Sequence, residues 1–147
     1  MPKKVFITGS NKGIGKQIAR EMGKNGWSVL IGARDEDRGL EAVRELMGEG
    51  IEAGYLNIDL KNQKTISAAA DIIKSQHTGI AMLINNAAIP GDMRKPGYEF
   101  TADELRVVME TNFFGPFELT RQLLSTLEAN NGRIINITIP IGATDFF

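Results

Sequence analysis

The chain has 147 residues, 42% hydrophobic and 24% charged, which suits a single soluble domain with its own core. Lys plus Arg number 17 against 18 Asp plus Glu, a balance that points away from nucleic acid and from anionic membrane surfaces. Cysteine is absent, which removes disulfides, thiolate–metal sites and cysteine nucleophiles and makes a reducing cytoplasm the expected location; no metal site is expected.

In chain order, Lys3-Lys4 precede a three-residue apolar run, Val5-Phe6-Ile7, too short for the core of a secretory signal. The run at 80–84 is far too short to span a membrane. Residues 4–8 read as a buried strand ending in a glycine cluster. Residues 14–24 follow with helical spacing (Ile14, Ile18, Met22), and Asn25-Gly26 stops them. A second strand is expected at 27–32, then a helix at 35–48 with Leu40, Val43 and Met47 on one stripe. A third strand at 51–58 leads to a helix at 62–76 with Ile66, Ala69, Ile72 and Ile73 inward. His77, the only histidine, reads as a solvated helix-end residue without a role.

A fourth strand at 80–85 is followed by a loop with Pro90, Gly91, Pro96 and Gly97. Thr101-Ala102-Asp103-Glu104 has the form of a capping box and opens a long helix at 101–129, with a kink expected at Gly115-Pro116. Asn130-Asn131-Gly132 turns the chain into a fifth strand at 133–139. Alternating strands and helices, with strands that are apolar almost throughout, predict an α/β fold with a doubly wound parallel sheet of Rossmann type. The expected order is 3-2-1-4-5, with a ligand crevice between strands 1 and 4.

The loop Thr8-Gly9-Ser10-Asn11-Lys12-Gly13-Ile14-Gly15 joins strand 1 to helix 1. Glycines there permit a tight turn, a close approach to a pyrophosphate and close helix–strand packing, and the helix N-terminus attracts the anion. A dinucleotide site is therefore expected, with Gly9, Ser10, Asn11, Lys12, Gly13, Ile14 and Gly15 at the cofactor.

The Thr-Gly-x-x-x-Gly-x-Gly spacing, Asn85-Asn86-Ala87-Ala88 after strand 4 and Asn112 in the long helix together resemble the short-chain dehydrogenase/reductase family. Ser10-Asn11-Lys12-Gly13, Ala33-Arg34-Asp35 with Arg38-Gly39, and Thr111-Asn112-Phe113-Phe114-Gly115 look most like its NADPH-dependent carbonyl reductase branch. The resemblance implies hydride transfer between a nicotinamide cofactor and a small carbonyl or alcohol substrate. Ala33 stands where NAD-preferring relatives carry an acid, and Arg34 and Lys12 offer cations to a 2′-phosphate, so NADP(H) is favoured over NAD(H). Asp35 nearby weakens that charge argument. By the same resemblance Asp59 accepts from the adenine amino group, Leu60 flanks it and Asn86 lies beside the cofactor; Asp59 as a cap of helix 3 is the alternative. Asn85 is expected to brace the sheet.

The family's proton relay uses an Asn, a Ser and a Tyr-x-x-x-Lys. Asn112 matches the Asn, with a helical distortion expected to free a carbonyl for water; an Asn merely tolerated near a kink is the alternative. Ile139 occupies the Ser position, and Thr138 would face the other side of the strand unless a bulge turns it. Tyr55 and Tyr98 have Asp59 and Ala102 four residues on, so neither begins the motif. The chain alone is therefore expected to be inactive, either as the front of a longer reductase or as a non-catalytic NADP(H)-binding module for regulation or interaction. Ile141, Phe146 and Phe147 and the bare fifth strand suggest a fragment, or self-association through strand 5 or the 101–129 helix.

Overall fold

The computed structural model describes residues 2–138. Five strands, β1 (Lys4–Thr8), β2 (Ser28–Ala33), β3 (Ala53–Asn57), β4 (Ile80–Asn85) and β5 (Arg133–Asn136), form one sheet in the order β3-β2-β1-β4-β5. Every pairing is parallel, with Val5 opposite Val29 on one side and Met82 on the other. The order reverses between β1 and β4, as expected, and that reversal opens the crevice.

Side chains alternate across the sheet and build two separate cores. Phe6, Leu30 and Leu83 point toward helices α3 (Gln63–Gln76) and α5 (Gly115–Ala129), where Ile66, Ile73, Leu119 and Leu123 meet them. Val5, Ile7, Val29 and Ile31 point toward α1 (Gly13–Lys24) and α2 (Glu36–Gly48), against Ala19, Ala42 and Leu46. Because both faces of the sheet are covered at β1, β2 and β4, those strands are apolar almost without interruption.

The helices sit where the periodicity places them, but two present a different face from the one expected. In α1 the buried residues are Gly15 and Ala19; Ile18 and Met22 flank them, and Ile14 is 66% exposed. In α2, Gly39, Ala42, Val43 and Leu46 are buried while Leu40 and Met47 stay exposed. Small residues carry the closest contact with the sheet, so the stripe of large residues lies to one side of the packed face. In α3 the expected inward residues hold, with Ala70 added and Ile72 only partly buried.

The expected 101–129 helix is two helices. Thr101 and Glu104 close the capping box in both directions, opening α4 (Ala102–Met109). A π turn at Glu110–Phe114 separates it from α5, which begins with Gly115-Pro116. Gly115 allows close packing there, since a Cβ would collide with the Leu60 carbonyl and approach the Leu60 Cβ to 2.8 Å. β5 is exposed along its length, with Ile134 and Ile135 about two-fifths accessible. Paired strand ends at Asn136, although the Ile137 N–H still reaches the Asn85 carbonyl at 3.0 Å.

His77 sits at the helix end as expected, at the C-cap of α3, but half-buried and not fully solvated, with Nδ1 shut from water and without a partner among the described residues. Burial pushes its pKa down, and Lys4 pushes the same way. No helix among the described residues is long and apolar enough to cross a membrane.

Candidate functional site

Two clefts lie side by side over the C-terminal ends of β1 and β4. One, of about 480 Å³, runs from the glycine loop past Arg34 to Asp59 and Leu60. The other, of about 950 Å³, is bounded by Asn112, Phe117, Asn136 and Thr138. Ile14, Asn86 and the Ala87-Ala88-Ile89-Pro90 segment line both, so a ligand longer than either cleft can occupy the two at once.

The three glycines of the loop do three different things. Gly9 has φ +63° and lies against Ala87, whose Cα would be 2.8 Å from an added Cβ. Gly13 has φ +57° with no atom within 4 Å of a Cβ, so its bare backbone faces open space. At Gly15 a Cβ would strike the Asn86 amide and lie 2.6 Å from the Gly9 carbonyl, so this glycine lets α1 close on the strand ends. Lys12 at the N-cap makes no side-chain cap, and the first turn carries no acid. By contrast α2, α3 and α4 are capped by Asp35, Asn62 and Thr101. The opening N–H groups of α1 thus keep their capacity to bind an anion.

The loop is held by bonds that separate its residues into two groups. Ser10 is buried, its hydroxyl donating to the Ile7 carbonyl at 2.7 Å and accepting from the Gly32 N–H at 3.2 Å. It shapes the loop and has no side-chain atom to spare for a ligand. Asn86 does the same from just past the end of β4, its Nδ2 donating to the Thr8 and Gly9 carbonyls at 3.1 Å each. Thr8, which opens the Thr-Gly-x-x-x-Gly-x-Gly pattern but carried no expected side-chain role, accepts from the Asn86 and Ala87 amides through Oγ1. Asn11, Lys12, Gly13 and Ile14 line the cleft, as Thr8 and Asn86 also do, but take no part in these side-chain bonds.

At the end of β2, Arg34 is exposed and lines the smaller cleft with Lys12. Among the described residues neither side chain has an ion-pair partner. Lys16 is paired with Glu45, and Arg38 is 3.7 Å from Asp35. Asp35 also accepts from the Arg38 N–H at 3.0 Å, so its carboxylate is engaged as a helix cap. Asp59, half-buried, is not the cap of α3, because Asn62 is; its Oδ1 accepts from the Lys61 N–H at 3.0 Å. Leu60 is buried and lines the same cleft.

In the larger cleft Asn112 is clamped rather than merely tolerated. Its Oδ1 accepts from the Ile89 N–H at 2.8 Å and its Nδ2 donates to the Ile89 carbonyl at 2.7 Å, pinning the segment that roofs both clefts. The backbone there is unusual for a covalent reason. The Gly115 N–H reaches back five residues to the Glu110 carbonyl, and Pro116 has no N–H to offer the Asn112 carbonyl four residues before it. Asn112→Ala is expected to lower Tm by about 2–4 °C, the loss of roughly one net hydrogen bond in a chain of this size, while hydrogen exchange at the Ile89 amide accelerates at least tenfold. Unchanged exchange at Ile89 would remove the clamp.

Asn85 braces as expected, but through side chains: it donates to Asn136 Oδ1 at 2.9 Å and to Thr120 Oγ1 at 3.3 Å, tying β4 to β5 and α5. Thr138, expected on the far side of the strand, is among the residues lining the larger cleft. Ile139 and the apolar residues Ile141, Phe146 and Phe147 lie outside the described residues.

The short chain dehydrogenase family model matches residues 3–146. The chain belongs to that family. Carbonyl reductase [NADPH] 1 of Rattus norvegicus is 35% identical over 135 residues, covering 90% of this chain and 47% of the rat protein. The chain thus spans about half the length of the curated relatives it matches. Among solved structures, an actinorhodin polyketide ketoreductase with NADPH superposes with TM-score 0.87 at 33% identity, over 96% of this chain and 54% of that one. A 7α-hydroxysteroid dehydrogenase complexed with NADH gives TM-score 0.87 at 30% identity, over 95% and 54%. The same fold therefore accompanies either nicotinamide cofactor.

Proposed function

We propose that the chain is the cofactor-binding part of an NADP(H)-dependent oxidoreductase acting on a small carbonyl or alcohol substrate in the cytoplasm. The observation that carries this is a pair of cations without an ion-pair partner among the described residues, Lys12 and Arg34, lining one cleft with the open backbone of Gly13 and the uncapped start of α1. The donor set fits a dinucleotide: N–H groups for a pyrophosphate, two cations for a 2′-phosphate, and Asp59 with Leu60 for an adenine edge and face. Asn86 and Ser10 keep the loop in shape for it. When bound, the nicotinamide supplies or accepts a hydride. Asn112 would offer to a water in the larger cleft the carbonyl that Pro116 leaves without its usual helical donor, and Thr138 is the hydroxyl nearest in sequence to the missing Ser.

Titration of cofactor fluorescence tests the reading. NADPH is expected to bind at least tenfold more tightly than NADH, a difference of about 1.4 kcal/mol. Equal affinities would remove the role of the two cations. Steady oxidation of NADPH with small ketones or aldehydes by this chain is not expected, since no Tyr-x-x-x-Lys occurs in it and Ile139 cannot donate a hydrogen bond. Measurable turnover would overturn that expectation.

Ile139 also favours a second reading, a non-catalytic NADP(H)-binding module. A coding sequence that continues past residue 147 into Tyr-x-x-x-Lys supports the enzyme, and one that stops there supports the module.

A further inference from the structure

Arg34 stands on a turn whose backbone is anchored from outside the turn. Tyr55 of β3 donates its hydroxyl to the Ala33 carbonyl at 3.0 Å, a carbonyl that also accepts from the Ile58 N–H at 3.1 Å. Asn57, two residues on, donates through Nδ2 to the Tyr55 hydroxyl at 3.1 Å and to the Arg34 carbonyl at 3.2 Å. The carbonyls on both sides of the Arg34 Cα are thus tied to β3, and Asp35 is held in turn by capping α2. The seat of the Tyr55 ring is specific: a Cβ on Gly39 of α2 would collide with it. Ring, glycine, amide and hydroxyl lie outside the lining of the smaller cleft, yet together they fix where the Arg34 side chain departs.

We infer that Tyr55, relayed by Asn57, is a positioning residue for cofactor choice: it holds Arg34 where a 2′-phosphate is recognised, so its hydroxyl contributes to NADPH binding and not to NADH binding. This rests on the reading of Arg34 given above. A guanidinium on a preset backbone loses less freedom when it engages a phosphate, and two hydrogen bonds to the turn supply that presetting. NADH, lacking the phosphate, gains nothing from it.

The test is a double-mutant cycle read by fluorescence titration with NADPH and NADH on wild type, Tyr55→Phe, Arg34→Ala and the double variant. Tyr55→Phe is expected to weaken NADPH about fivefold, the worth of one hydrogen bond, and to leave NADH unchanged. On the Arg34→Ala background the same change is expected to have no further effect on NADPH. If Tyr55→Phe loses the native circular dichroism, Asn57→Ala removes the other end of the relay and carries the same expectation. Equal weakening of both cofactors, or an unchanged NADPH-to-NADH ratio, overturns the inference while leaving Arg34 in its role. A wild-type protein without any NADPH preference overturns the Arg34 reading and this inference with it.

Discussion

Gly15→Ala is expected to remove dinucleotide binding and to destabilise the fold by about 1–3 kcal/mol or more, because the added methyl meets atoms that cannot swing away. It would lie 2.6 Å from the Gly9 carbonyl and 2.9 Å from the Ser10 Cα, besides striking the Asn86 amide. Gly9 cannot retreat, being packed on Ala87, and Ser10 is bonded to both β1 and β2. The strain is relieved only by moving α1, and α1 carries the N–H groups offered to the pyrophosphate. Gly13→Ala separates the two effects. Its Cβ meets nothing, so stability falls only by the backbone cost of a positive φ, about 1–2 kcal/mol. The loss of NADPH affinity is then expected to exceed the loss of stability, since the methyl projects from a backbone that lines the cleft. Thermal melts and NADPH titrations on both variants give the comparison. A Gly15→Ala protein with wild-type Tm and affinity would show that the helix does not need to lie so close.

The strands and their order were legible because burial on both faces writes an unbroken apolar run, and alternation with helices admits few topologies. Helix faces were less so. Leu40, Val43 and Met47 in α2 look like a core stripe, yet Leu40 and Met47 are exposed while Val43 is buried with Gly39, Ala42 and Leu46, because residue size alone does not reveal which side of a helix meets the sheet. The glycine loop could be read from spacing, and that Lys12 and Arg34 line one cleft with it follows from their places in the loop and at the end of β2, both local features of the sequence. That Asp35 is engaged in capping, and that Asp59 is not a cap, depended on which neighbour took the helix N-terminus. Tyr55 and Asn57 gave no signal at all. Their partners lie 22 and 23 residues away in sequence, and only the pairing of β2 with β3 brings them together. The π turn was half legible: Pro116 announces a missing N–H, but the clamp of Asn112 on Ile89 links segments that no local pattern connects.

Arg34→Glu is expected to weaken NADPH by a hundredfold or more at low salt, about 3 kcal/mol, while NADH changes little. The substitution removes an attraction and installs a repulsion against a group carrying most of two negative charges, in a cleft where, among the described residues, Lys12 is the other cation without an ion-pair partner. Because the site is exposed, part of the effect must be screened, so the NADPH penalty should shrink as ionic strength rises toward 0.5 M while any NADH difference stays flat. Asp35 does not blur the comparison, since its carboxylate accepts from the Arg38 amide and faces the Arg38 guanidinium at 3.7 Å, leaving its charge offset in both proteins. Lys12→Glu should behave alike but with some loss for NADH as well, because Lys12 sits at the N-cap of α1 and a carboxylate there also competes with the pyrophosphate for the helix N–H groups. An Arg34→Glu variant that loses both cofactors equally would place Arg34 in the shape of the turn and not at the phosphate, and cofactor choice would then have to reside in Lys12.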